Sequence, residues 1–269
     1  MKKIVLLLTI ALLSITSLFA QDVDPFSKSS CYVEIYNGKN ILGNASGFFF
    51  HTKTKYYFIT NNHVVGGDFA KNEYKALHKH NIPADSVANL LKVRLYNSSL
   101  NSTFFIELPL LSNNKNNYMI FNDGNGNPMD IVAIPIITAL SIQLSNTRVL
   151  STRYMNSNLF LLPATDLFVV GFPYDWGKTN AYPVWKKGSI ASEADNKGFW
   201  IDATTRSGMS GSPVYFRSNA YIDKLGNTKA FSSLDTFLVG IYSAQSYIAE
   251  LGVVWNLSSV ISQLNTLDQ

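Results

Sequence analysis

Residues 208–214 read Gly208-Met209-Ser210-Gly211-Ser212-Pro213-Val214 and run straight on into Tyr215-Phe216. A serine set between glycines on a tight turn, followed at once by a β-prone run, suits a nucleophile. Glycine at 208 can take backbone angles closed to other residues, which lets successive N–H groups point into one pocket. Such a pocket stabilises the oxyanion of a tetrahedral intermediate. Glycine and serine are also ordinary turn formers, so the motif implies chemistry only if a base and an orienting acid accompany it.

Four histidines are candidates for the base. His78 and His80 lie in a polar, lysine-containing stretch, and His51 ends a run of phenylalanines where a structural role fits better. His63 differs. Phe58-Ile59-Thr60-Asn61-Asn62-His63-Val64-Val65 places it just past a hydrophobic strand, in a polar turn that returns to apolar residues. For the acid, Asp130 opens the apolar run Ile131-Val132-Ala133-Ile134-Pro135. A carboxylate at that edge is partly buried, which is costly unless it is paired, and an imidazole is a suitable partner. The nearby Asp123-Gly124-Asn125-Gly126-Asn127 starts like a calcium loop. It has Pro128 at the sixth position and Ile134 at the twelfth, where such a loop needs Gly and Glu, so no metal is expected there.

The order His63, Asp130, Ser210, with separations of 67 and 80 residues, resembles that of the chymotrypsin-fold serine peptidases. Thr60–Val65 is similar to the histidine motif of bacterial members, including HtrA-type and glutamyl endopeptidases. Asp130-Ile131-Val132-Ala133 resembles their aspartate motif, and residues 208–214 their serine motif. Val170-Gly171-Phe172-Pro173, Leu238–Ser243 and Gly252-Val253-Val254 extend the likeness over most of residues 31–265. The resemblance implies an all-β fold of two six-stranded antiparallel barrels, with the catalytic cleft between them and a closing C-terminal helix. It implies Ser210 as nucleophile, His63 as base and Asp130 as orienting acid, with the Gly208 and Ser210 amides as oxyanion hole and no cofactor or metal. It also places Thr204, Thr205, Arg206, Tyr242, Ser243, Ala244, Gln245 and Gly252 around the substrate pocket. Met209 stands where the trypsin subgroup carries the aspartate that receives a newly cut N-terminus, so that activation switch is not expected. Tyr242 stands where glutamyl endopeptidases need a histidine, and Thr204 supplies no carboxylate for Lys or Arg.

Short β-rich runs broken by Asn, Gly, Ser and Pro fill the chain after residue 30 and predict barrels or sandwiches. They are Cys31–Tyr36, Gly47–His51, Tyr56–Thr60, Lys92–Tyr96, Phe104–Leu108, Ile131–Pro135, Leu167–Gly171, Trp200–Ala203, Pro213–Phe216 and Phe237–Tyr242. Two stretches read as helix: Ala84–Leu91, through Ala84, Val87, Ala88 and Leu91, and Leu257–Leu267, capped by Asn256 or Ser258 with Val260, Ile261 and Leu264 as its stripe. Asn113–Pro128 reads as a loop and Arg217–Asn227 as a polar separator of two strands. The expected division falls near residue 150, into an N-terminal barrel (21–150) carrying His63 and Asp130 and a C-terminal barrel (151–269) carrying Ser210.

Residues 1–20, MKKIVLLLTIALLSITSLFA, have the layout of a secretory signal peptide, with Lys2 and Lys3 before an apolar run and Ala20 closing it. Of 22 Lys and Arg against 18 Asp and Glu, two lysines leave with it, so the mature net charge falls from +4 to about +2. That is too weak for a nucleic-acid footprint. The expected protein is exported to the periplasm or the medium, monomeric, and free of the membrane after signal removal. Its partner is a polypeptide substrate. No PDZ-sized stretch follows the serine domain, so the modular HtrA arrangement is not expected. A single cysteine, Cys31, excludes an internal disulfide framework. The alternative to an endopeptidase is a peptidase-fold peptide-binding protein with weak or no turnover.

Overall fold

The structure is a computed structural model that describes residues 23–66, 87–97, 102–113, 115–137, 144, 147–246 and 249–267. The expected signal segment, His78 and His80 lie outside them. Among the described residues, ten strands belong to the first half: β1 (Ser30–Asn37), β2 (Asn40–His51), β3 (Tyr56–Thr60), β4 (Leu90–Asn97), β5 (Ser102–Pro109), β6 (Leu111–Ser112), β7 (Lys115–Asn116), β8 (Met119–Asn122), β9 (Pro128–Ile136) and β10 (Leu150–Ser151). Six belong to the second: β11 (Asp166–Gly171), β12 (Val184–Ile190), β13 (Gly198–Asp202), β14 (Pro213–Ile222), β15 (Thr228–Ser246) and β16 (Leu251–Asn256). Helices are short, α1 (Asn62–Val65) and α2 (Trp176–Thr179), except for α3 (Leu257–Leu267).

β1 to β5 and β9 are the expected antiparallel barrel strands of the first half, in the order β5-β4-β1-β2-β3-β9, with β8 added at the edge and β10 pairing parallel to β2. Both ends of this sheet curl onto one core. Leu91, Val93, Ile106 and Leu108 from β4 and β5 pack in the same cluster as Val132 and Ile134 from β9. The second half closes fully, in the order β11-β12-β13-β16-β15-β14. Between the two lies another core, in which Phe48, Phe50, Ile59 and Ile131 meet Tyr215, Leu238 and Ile241. Helix α3 seals it. Its predicted stripe of Val260, Ile261 and Leu264 is buried there together with Leu257, each side chain contributing about 1.5–3 kcal/mol by leaving water. Of the two cap candidates, Asn256 does the capping: its Oδ1 accepts the Ser258 N–H at 2.9 Å.

The residues preceding β1 cross to the second barrel. Asp24 accepts a hydrogen bond from the Arg217 guanidinium, Trp185 Nε1 donates to Ser27 Oγ at 2.8 Å, and the Ser29 hydroxyl meets the Tyr215 hydroxyl at 2.5 Å. Phe26 sets its ring edge-on to Tyr154 and Tyr215, with the Arg148 guanidinium 4.1 Å from its centroid.

Four local expectations are corrected. Residues 87–91 are not helical: Leu90 and Leu91 already belong to β4, where Leu91 lies opposite Ile35 of β1, and residues 84–86 lie outside the description. Apolar spacing over so few residues fits a strand entry as well as a helix, and sheet pairing decides. Asn113–Pro128 is not one loop, because it holds β7, β8 and the start of β9. Arg217–Asn227 is strand as far as Ile222, since β14 and β15 continue as a hairpin paired out to Ile222 and Thr228. The turns of these two hairpins are alike. Asp123 Oδ1 accepts the Asn125 and Asn127 N–H groups at 2.9 Å each, and Asp223 Oδ1 accepts those of Leu225 and Asn227 at 3.0 and 2.8 Å. The aspartate of the calcium-like stretch is thus committed to its own turn and to Lys197, whose ammonium stands 2.7 Å away. The strand expected at Trp200–Ala203 ends one residue sooner, at Asp202.

Candidate active site

The register of β3 against β9 assembles the first half of the site. Thr60 pairs with Val132, so Asp130, two residues earlier on β9, lies beside the turn by which the chain leaves β3. Asn61 fixes the two segments by donating from Nδ2 to the Asp130 carbonyl at 2.7 Å. Helix α1 then turns His63 back onto the carboxylate. The His63 N–H donates to Asp130 Oδ1 at 2.8 Å, and the ring Nδ1 lies 2.7 Å from Oδ2. Asp130 is fully buried while the His63 side chain is 11% exposed, so the imidazole reaches solvent and its partner does not. From the second barrel, the Ser243 hydroxyl donates to Asp130 Oδ2 as well. Three donors offset the desolvation that an isolated buried carboxylate would suffer.

The Ser210 turn is built on residue 46. The Ser46 N–H donates to the Ser210 carbonyl at 2.8 Å, its Oγ donates to the Gly208 carbonyl at 2.9 Å, and the same Oγ accepts the Phe172 N–H at 3.0 Å. The Ser46 carbonyl in turn accepts the Thr60 hydroxyl at 2.9 Å, at the end of the strand that leads to His63. On its other side the turn is held by β15. The Gly211 N–H donates to the Tyr242 carbonyl and the Tyr242 N–H to the Ser212 carbonyl, each at 2.9 Å. Tyr242 precedes Ser243, the residue that touches Asp130. The serine turn and the His63–Asp130 pair thus share two short backbone bridges.

Gly208 and Gly211 have φ of 90° and 86°, angles that favour glycine. A Cβ at 211 would stand 2.0 Å from the Ser46 carbonyl oxygen, so a larger residue is excluded by space as well as by conformation. The Ser207 carbonyl accepts the Tyr174 N–H at 2.6 Å. Among the described residues, the Gly208 and Ser210 N–H groups have no intramolecular acceptor. That is the condition for two amides to receive an external oxyanion.

The expected pocket residues separate. Along Ala203–Arg206 burial alternates: Thr205 is fully buried, whereas Thr204 and Arg206 are exposed. Arg206 folds back to donate to the Thr205 carbonyl at 2.8 Å. Gln245 reaches along its own hairpin to the Glu250 carbonyl, and Ala244 is half-buried. Tyr242, Ser243 and Gly252 are buried: the Tyr242 hydroxyl meets that of Thr205, Gly252 lies against the Tyr242 ring, and Ser243 turns to Asp130. His51 stacks on Tyr56 with centroids 4.2 Å apart and has no place in the site. Sequence reasoning did not single out Ser46, since a serine in Asn44-Ala45-Ser46-Gly47 carries no local sign of contacts more than a hundred residues away.

The profile of the family described as Trypsin-like peptidase domain matches residues 45–221. No curated protein matches the chain. Solved structures similar to it include the tobacco etch virus protease in complex with product, at 15% identity over 93% of this chain and 83% of that one, with a TM-score of 0.49. The serine endoprotease from Yersinia pestis is 14% identical over 92% and 67% of the two chains, with a TM-score of 0.47. An active-form protease from Mycobacterium tuberculosis is 16% identical over 88% and 80%, with a TM-score of 0.46.

Proposed function

The chain belongs to the trypsin-like peptidase family, and from that premise we propose that it is an exported serine endopeptidase working through Ser210, His63 and Asp130. The observation that carries the reading is the fully buried Asp130, which binds both the backbone and the ring of His63. A proton on Nδ1, donated to Asp130, leaves the Nε2 lone pair to act as base. In this mechanism Ser210 Oγ attacks the scissile carbonyl while His63 Nε2 takes the hydroxyl proton. The oxyanion is received by the Gly208 and Ser210 amides, each such donor being worth about 10²–10³-fold in rate. Collapse of the intermediate passes the proton from His63 to the leaving amine and forms the acyl-enzyme. Water, activated by the same histidine, then hydrolyses the ester. Residues 1–20 direct export in this proposal and are removed from the mature protein.

A fluorophosphonate probe followed by peptide mapping tests it. The expected result is one modified residue, Ser210, with labelling and peptide hydrolysis both lost in Ser210→Ala. Folded wild-type protein that neither labels nor cleaves any peptide would refute it and leave the peptide-binding reading. The mass of the exported protein, expected to begin at Gln21, tests the export step.

A further inference from the structure

We propose that Tyr242 closes the floor of the pocket beside Ser210 and restricts the residue on the acyl side of the cleaved bond to a small side chain. The proposal rests on the peptidase reading above and adds its substrate class. Two segments flank the reacting serine: Thr204–Arg206, which enters its turn, and the β15–β16 hairpin, which carries Ser243 to Asp130 and brings Gly252 alongside. A side chain presented with its carbonyl at Ser210 would lie between these walls. The Tyr242 ring spans that space. It is 2% exposed, and its hydroxyl meets the Thr205 hydroxyl on the opposite wall at 2.5 Å. Its Cε2 lies 2.8 Å from the point a Cβ on Gly252 would occupy, so the room that glycine leaves on β16 is already filled by the ring.

The ring is also fixed. The Tyr242 N–H and carbonyl are both bound to the serine turn, and the ring packs with Ile201, Met209 and Val254 in the barrel core. Swinging it outward would leave the fully buried Thr205 hydroxyl without its partner, a conformation that buried polar groups disfavour. The walls bring no charge to the floor, because Thr204 is exposed and Arg206 is turned back onto the Thr205 carbonyl. The geometry therefore fits Gly, Ala, Ser or Thr and excludes Phe, Leu, Lys, Arg and Glu.

The test digests a proteome-derived peptide library with the wild-type protein and measures inactivation by peptidyl diphenyl phosphonates carrying Ala, Phe or Lys at the reacting position. Cleavage after small residues is expected, with the Ala probe reacting faster than the Phe probe by about tenfold or more. Tyr242→Val should raise the Phe-to-Ala ratio by at least about tenfold, whereas Tyr242→Phe, which keeps the ring, should leave it unchanged. Wild-type cleavage mainly after large or charged residues would overturn the proposal, as would an unaltered ratio in Tyr242→Val. Should that variant not fold, the wild-type profile and Tyr242→Phe still decide. Absence of both cleavage and Ser210 labelling would instead sink the peptidase reading itself.

Discussion

Replacing Ser46 by alanine would unmake the support of the serine turn without touching a reacting group. The backbone bonds of residue 46 to Ser210 and Thr60 survive, but two side-chain bonds are lost: the one donated to the Gly208 carbonyl at 2.9 Å and the one accepted from the Phe172 N–H at 3.0 Å. Ser46 is fully buried and Phe172 2% exposed, so both partners are left unsatisfied in a dry site. A Cβ at Gly171 would come within 2.9 Å of Ser46 Oγ and 1.8 Å of Ser212 Oγ, so the two hydroxyls already fill the space beside that glycine. An orphaned buried donor costs about 1–3 kcal/mol and a carbonyl somewhat less, so we expect a loss of about 2–4 kcal/mol. Against a typical total of about 5–15 kcal/mol, denaturant titration resolves that shift. Because the Gly208 peptide loses an anchor, kcat should fall by about 10–100-fold with little change in KM. A stability change under about 0.5 kcal/mol together with an unchanged kcat would refute the reasoning.

Asp130→Asn keeps the shape of the site but offers His63 Nδ1 an amide, and should lower kcat by about 10⁴-fold, read from initial rates with a saturating peptide. The Lys197 ammonium, then the Asn127 and Asn125 amides, hold the Asp123 carboxyl well below the usual carboxylate range. Its contribution to stability is therefore complete above the unfolded pKa of about 4 and lost as the pH falls through the lower folded value. Asp123→Asn should thus unfold at lower temperature than wild type at pH 7, with the gap narrowing in acid. A gap that stayed constant with pH would count against this. Burial raises the Cys31 thiol far above its ordinary value, so iodoacetamide should leave it unmodified in the native protein and alkylate it fully once denatured.

Where the sequence determines structure locally, it is legible. Tyr56–Thr60 and Leu257–Leu267 have the predicted bounds because an unbroken β-prone run and a capped amphipathic stripe are each complete signals. The hairpin extension from Arg217 to Ile222 was hidden because both its faces are half-wet, which removes the alternation that marks a strand. It carries a cluster of three rings, Tyr221 stacked on Phe231 with Phe237 set edge-on to the first and tilted to the second, between residues that look scattered in sequence. In the site, the resemblance named His63, Asp130 and Ser210, and the structure joins the first two directly. It could not reveal Ser46 or the Thr205–Tyr242 contact, because both depend on which distant backbone lies opposite. The alternation that exposes Thr204 and buries Thr205 is a strand-like phase, and no composition rule sets it.

The crossing of residues 24–29 to the second barrel carries a consequence for how the molecule assembles. Its contacts join residues 186 and 193 positions apart, from Ser29 to Tyr215 and from Asp24 to Arg217. No such pair can form before residues 215–217 are available, and contacts of this range slow folding because a long loop must close before they give any return. The N-terminal strand can pair within its own barrel early, but its leading residues must wait for β14 before they find their seats. Residues 24–29 therefore settle late, and the clasp they make on the second barrel follows the pairing of the strands it joins.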